Sequence, residues 1–188
     1  MKTLLFFLMM IIAVATNAQY SEGIGGGSIR AGVGYVHDFP GVAGTAIQAE
    51  YIFPLNDWLQ GGIGAKHIYT SGYPRTNTVK EYTKANTIDF ELLFVPLHTE
   101  NASLRIGPGY TFSFYNIRRS YPVFTAHDGQ STTVSYPSVD SKGRVRGVRI
   151  IGEYERYFND SFSAGVRIEI AKAYGYVAIG GPFVSFKL

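Results

Sequence analysis

Apolar and polar residues alternate with a period of two in eight separate stretches, and the polar face of those stretches carries glycines and charges of both signs. Ile29, Ala31, Val33 and Tyr35 alternate with Arg30, Gly32 and Gly34. Ile47, Ala49, Tyr51 and Phe53 alternate with Gln48 and Glu50, and Leu59, Ile63, Ala65 and Tyr69 with Gln60, Gly62, Gly64 and Lys66. Ile88, Phe90, Leu92 and Phe94 flank Asp89 and Glu91, and Leu104, Ile106, Tyr110, Phe112 and Phe114 flank Arg105, Gly107, Gly109, Thr111 and Ser113. Val148, Ile150 and Tyr154 alternate with Arg149, Glu153 and Glu155, and Phe162, Ala164, Val166, Ile168 and Ile170 with Ser163, Gly165, Arg167 and Glu169. Val184, Phe186 and Leu188 close the series around Ser185 and Lys187. A period of two is that of a strand whose two faces meet different surroundings. No stretch has helical periodicity of useful length, so the chain reads as all-β with eight antiparallel strands.

The connections fall into two sets. Pro54 to Asp57, His98 to Asn101 and Asn159 to Ser161 are short. In the alternate set, Asp38 to Val42 and Tyr174 to Tyr176 are short, but Ser71 to Ala85 and Asn116 to Gly143 are long and polar. Short turns at one end and long loops at the other are the asymmetry of a membrane barrel. An even strand count returns both termini to the short-turn end.

Alternation does not say which face points inward; a soluble barrel with an apolar interior has the same period. The charges decide the orientation. Arg30, Arg105, Arg149 and Arg167 share the polar faces with Glu50, Asp89, Glu91, Glu153, Glu155 and Glu169. One arginine on lipid at the bilayer midplane costs about 2–4 kcal/mol. Enclosed, the opposite charges can pair, and the interleaved glycines suit the narrow interior of eight strands. The expected fold is therefore an eight-stranded antiparallel up-and-down transmembrane β-barrel with a lumenal charge network. Tyr51, Phe53, Trp58, Phe94, Phe158, Phe162 and Phe186 fall near the short-turn ends, where an interfacial girdle belongs. Pro108 and Pro182 interrupt two strands; proline cannot donate to a ladder, so bulges are expected at both.

Residues 1–18 read as a signal peptide: Lys2, an apolar run from Leu4 to Val14, and small Thr16 and Ala18 before the cut. The run is shorter than the roughly 20 residues of a spanning helix. Residues 19–28 read as a glycine-rich leader and 29–188 as the barrel. The chain has no cysteine, which removes thiol chemistry, disulfides and cysteine metal sites. The four histidines lack ligand spacing, so no metal and no cofactor is expected. A net charge of +3 without basic runs argues against nucleic acid.

The pattern resembles the small eight-stranded outer-membrane proteins, especially the outer-membrane β-barrel domains of Bacteroidetes. The features that carry the likeness are Asn17-Ala18-Gln19, the strand-and-turn order from Ser28 onward, and the last strand Gly181 to Leu188. That strand is similar to the signal read by barrel-assembly machinery, with Phe186 two residues before the end where the class usually ends on an aromatic. The resemblance implies an outer-membrane location, contact with outer-membrane lipid and lipopolysaccharide, and the assembly machinery as a partner in biogenesis.

No motif of nucleophilic catalysis surrounds His67 and Ser71, or His127 and Asp128. The long connections carry a candidate binding surface: Arg75, Lys80 and Lys84 in one, and Arg118, Arg119, Tyr121, Tyr136 and Lys142 in the other, with Arg144 beside it. Loops held by a rigid scaffold concentrate contacts, and Tyr and Arg favour interfaces. The expected role is non-enzymatic: structural, adhesive or surface-interacting, with an external partner the sequence does not name. The competing readings are a lipid A-modifying enzyme, a small-solute channel and a soluble lipocalin-like periplasmic binding protein.

Overall fold

The computed structural model describes residues 26–38, 41–74, 79–127 and 131–188. The signal segment and most of the leader lie outside the described residues. Ten strands form: β1 (Ser28–Asp38), β2 (Ala43–Asn56), β3 (Leu59–Gly72), β4 (Glu81–His98), β5 (Ala102–Ser120), β6 (Val123–His127), β7 (Ser131–Ser135), β8 (Ser138–Tyr157), β9 (Phe162–Lys172) and β10 (Tyr176–Lys187). Eight of them close into an antiparallel barrel in the order β1-β10-β9-β8-β5-β4-β3-β2, while β6 and β7 form a separate hairpin. The seam is sealed by β1 against β10 from Ser28↔Lys187 to Asp38↔Val177. Beyond it, the Leu188 N–H donates to the Gly27 carbonyl at 2.9 Å. Closure leaves no strand edge to hydrocarbon, which offers no partner to a bare N–H or C=O.

The apolar face is outside. Ile150 is 67% exposed, Ile168 64% and Ile47 61%, whereas Arg30, Arg149 and Arg167 are all under 5%. A water-soluble domain rarely exposes so continuous an oily surface. At the short-turn rim the aromatics stack on one another: Trp58 on Phe94 at 5.7 Å, Phe158 on Phe162 at 5.6 Å, and Phe162 against Phe186 at 5.3 Å.

Three expectations need correction. First, the stretch Asn116 to Gly143 is mostly strand. The β5–β8 ladder continues through Asn116↔Lys142 to Ser120↔Ser138, and β6 and β7 pair beyond it. Second, the stretch Ser71 to Ala85 is shortened at both ends, since β3 runs to Gly72 and β4 starts at Glu81. Outside the membrane both strand faces are polar, so the alternation that marks a strand fades there.

Third, neither Pro108 nor Pro182 makes a bulge. Pairing with one neighbour passes unbroken through Pro108↔Ile150 and Pro182↔Val166. On the other side it skips from Glu91↔Gly109 to Phe94↔Ile106, and from Gly32↔Phe183 to Tyr35↔Gly180, without changing register. The missing N–H of each proline faces that skipped segment. The adjacent glycine lets the neighbouring backbone come close. A Cβ on Gly107 would lie 1.8 Å from the Leu92 carbonyl oxygen, and one on Gly181 would lie 2.0 Å from that of Val33. The register shifts fall instead between Pro54 and Asn56 and between Phe94 and Leu97, toward the short-turn rim.

Candidate functional site

Because side chains alternate across each strand, the odd-numbered charges of β4, β5, β8 and β9 and the even-numbered ones of β1, β2 and β3 all point into the lumen. Five cations, Arg30, Lys66, Arg105, Arg149 and Arg167, meet six carboxylates there: Glu50, Asp89, Glu91, Glu153, Glu155 and Glu169. Arg167 holds the centre. Its Nη1 donates to Glu50 at 2.6 Å and to Glu153 at 2.7 Å, and its Nη2 to Glu91 at 2.5 Å. Arg149 bridges Asp89 at 3.0 Å, Glu169 at 3.1 Å and Glu91 at 2.8 Å. Lys66 bonds Glu169.

Toward the short-turn end, Arg30 reaches Glu153 at 2.8 Å and Glu155 at 3.0 Å, with its guanidinium 5.1 Å from the Phe183 ring centre. Arg105 bonds Glu155 and donates to the Tyr157 hydroxyl at 3.0 Å. Lys66 was not among the charges expected in this network. Its place on the polar face of β3, in step with Gly62 and Gly64, is the signal that would have found it.

Glu50, Glu91 and Glu153 bring carboxylate oxygens within 4.8 Å of one another. The Arg167 guanidinium bonds all three, and Arg30 on Glu153 and Arg149 on Glu91 add the further positive charge the cluster needs.

Outward of this network the lumen turns apolar. Val36, Ala46, Ile68, Ala85, Val177 and Ile179 pack together under Tyr115 and Tyr174. Above them lies a second polar knot. Arg119 reaches Asp38 at 3.0 Å and Glu81 at 3.3 Å, Thr70 and Thr83 donate to Asp38, and the Ser120 hydroxyl donates to Glu81 at 2.6 Å. Ionic, apolar and polar layers therefore stack along the axis. A cavity of about 840 Å³ opens at the short-turn rim, where Arg105, Glu155, Tyr157, His98 and Lys187 line it. The next cavity inward, beside Lys66 and Glu169, measures about 20 Å³, roughly the room for a single water.

Among the described residues, the candidate loop residues take several different places. Arg119 is drawn into the mouth of the lumen. Arg118 makes a bidentate contact with Asp140, 2.8 Å on each arm, and lies 5.3 Å from the Tyr82 ring centre. That hydrogen-bonded pairing holds the Asp140 carboxyl below the ordinary carboxylate range. Lys84 and Lys142 are exposed on the outer wall, on β4 and β8. Lys80 and Tyr121 are exposed and Tyr136 is half-buried. Arg75 and Asp128 lie outside the described residues. His67 meets the Asn86 side-chain oxygen at 2.8 Å on the outer wall, so an amide stands where a catalytic histidine would have a carboxylate.

An all-β ring with an oily exterior and an ion-paired interior is the fold of the small transmembrane barrels of bacterial outer membranes. Among solved structures, the Neisserial surface protein A barrel superposes with a TM-score of 0.63 at 12% identity, over 89% of this chain and 100% of that one. The outer membrane protein OprG from Pseudomonas aeruginosa gives 0.57 at 10% identity, over 88% and 98%. No protein-family model and no curated protein matches the sequence.

Proposed function

We propose that the chain is a non-enzymatic integral protein of the bacterial outer membrane that acts as an exposed contact surface, structural or adhesive, after signal-peptide-dependent export and assembly by the barrel machinery. The observation that carries this reading is the unequal length of the strand pairs. The β5–β8 ladder has 19 residue pairs, from Ala102↔Arg156 to Ser120↔Ser138, whereas the β1–β10 ladder has nine. From Phe114, the last apolar outward residue of β5, the ribbon runs six residues on to Ser120, about 20 Å along the strand. Beyond that, the β6–β7 hairpin pairs Phe124 with Val134, 69% and 41% exposed, beside exposed Tyr121. Apolar side chains held in water by a rigid ribbon are the usual marks of a contact surface. The stacked lumenal layers support a closed interior rather than a conduit for solute.

The test removes residues 121–137 and joins Ser120 to Ser138 through a short turn, which leaves the barrel ladders intact. The shortened protein should keep heat-modifiable gel mobility, while cells displaying it lose adhesion to immobilised matrix proteins and glycans. Undiminished adhesion, or single-channel conductance from the intact protein in planar bilayers, would defeat the proposal.

A further inference from the structure

We propose that the outer wall of β4, β5, β8 and β9 is a binding ridge for the phosphates of a saccharide lipid in the outer leaflet, of the lipopolysaccharide type. This inference rests on the membrane placement above but not on the adhesive role of the hairpin.

The outward cations are confined to one side of the barrel. Lys84, Lys142, Arg144, Arg146 and Lys172 are carried by β4, β8 and β9 above the apolar band. The outward faces of β1, β2, β3 and β10 at that level carry Tyr35, Thr45, Tyr69 and Tyr176 and no Lys or Arg. None of the five makes an ion pair among the described residues. The only carboxylate on this wall among the described residues, Asp140, is bonded by Arg118. Asp140 also feels the charge of Lys142, but five cations beside one carboxylate already bonded to Arg118 leave this wall strongly positive, and such a wall attracts anions.

The geometry adds selectivity. Arg144 lies 5.6 Å from the Phe114 ring centre, Arg146 5.7 Å from Phe112, Lys84 5.5 Å from Tyr69 and Lys172 5.3 Å from Tyr176. Each ring fixes its cation against the wall and leaves donors free on the far side. Arg144 and Arg146 sit two residues apart on one strand face, roughly 7 Å from each other. Their guanidinium forks suit the oxygens of a phosphate. Lys84 and Lys142 flank Asn116 from the two neighbouring strands.

Next along the strands from Phe112 and Arg146 lie Tyr110, Val148 and Ile150, continuous with the ridge. A phosphate-bearing head on the cations and acyl chains on this band fit one amphiphile. A soluble phosphate would use only the upper half of the site.

The experiment compares the intact protein with a variant carrying K142Q, R144Q and R146Q, both refolded in zwitterionic micelles and checked by heat-modifiable mobility. The probes are lipopolysaccharide, the same lipid after enzymatic dephosphorylation, and the deacylated phosphorylated saccharide. Intact protein should retain phosphorylated lipopolysaccharide at least about tenfold more tightly than the variant does, since each surface cation near an anionic head adds appreciably to binding. The dephosphorylated lipid should bind both proteins equally weakly. R156Q, at the opposite rim, should bind like the intact protein.

Equal retention by intact protein and variant, or no preference for the phosphorylated lipid, would overturn the proposal. Deacylated saccharide that binds as tightly as the whole lipid would overturn the lipid assignment. If the intact protein shows no heat-modifiable form, the membrane placement itself fails, and that result is distinct from the others.

Discussion

Replacing Arg167 with methionine should cost the folded barrel about 3–5 kcal/mol, the usual penalty for stripping one partner from a buried ionic cluster. Arg167 is 3% exposed and is the one cation bonded to Glu50, Glu91 and Glu153 together. The remaining cations cannot cover the loss, because five face six carboxylates even before the change. Methionine keeps the unbranched stem as far as about the Nε position, so the greater part of the cost is the lost guanidinium charge rather than lost packing of the stem. Urea unfolding in lipid vesicles measures it, with the single tryptophan, Trp58 at the short-turn rim, as the fluorescent reporter. Adding E50Q and E153Q to the variant should recover part of the loss, since coupled neighbours are not additive. A loss below about 1 kcal/mol would mean that water reaches the cluster and replaces the guanidinium, in the range of exposed pairs.

The second large effect lies on the opposite face. Ile150→Arg should destabilise the inserted barrel by about 2–4 kcal/mol, the cost of a cation near the bilayer midplane. Ile150 is 67% exposed, with Pro108 and Ile170 as its cross-strand partners, and it sits midway along the apolar outward run of β8 from Val148 to Tyr154. The experiment discriminates because a soluble barrel predicts the reverse. An exposed isoleucine in water changes to arginine with an effect usually within about 0.5 kcal/mol. Refolding into vesicles at graded urea gives the number. A shift inside that smaller range would place Ile150 in water.

Where one strand face meets lipid and the other an ionic lumen, side-chain chemistry changes at every residue. Ile88-Asp89-Phe90-Glu91 and Val166-Arg167-Ile168-Glu169 show it, and there the strands and their inward charges were legible in the sequence. Where the strands leave the membrane, the contrast disappears. Asn116 to Ser120 has polar residues on both faces, so the β5–β8 extension read as loop. The hairpin beyond it carried a usable signal: Val123-Phe124 and Thr132-Thr133-Val134 are β-formers on either side of Asp128-Gly129, a pairing that favours tight hairpin turns.

The bulges were misplaced because a proline that cannot donate to the ladder was taken to require one. Gly107 and Gly181 let the adjacent strand approach, so the ladder loses pairs without losing register. Arg119 read as a loop cation because its partners, Asp38 and Glu81, come from distant strands that only barrel closure brings together. The outer ridge was half visible. Lys84, Lys142 and Arg144 were legible as basic residues of the long connections, but Arg146 and Lys172 joined them only through the register of β8 with β5 and β9.

The central claim is that oily side chains face lipid and ionic ones face a sealed lumen. Since the chain has no native cysteine, single cysteines can be placed from Val148 to Glu153 and labelled with a nitroxide in the bilayer-inserted protein. Collision rates with dissolved oxygen, which concentrates in hydrocarbon, and with a water-soluble nickel chelate then report each position. We expect oxygen maxima at 148, 150 and 152, with 149, 151 and 153 shielded from both reagents. Oxygen maxima at the arginine and glutamate positions, or chelate access at Ile150, would contradict the account.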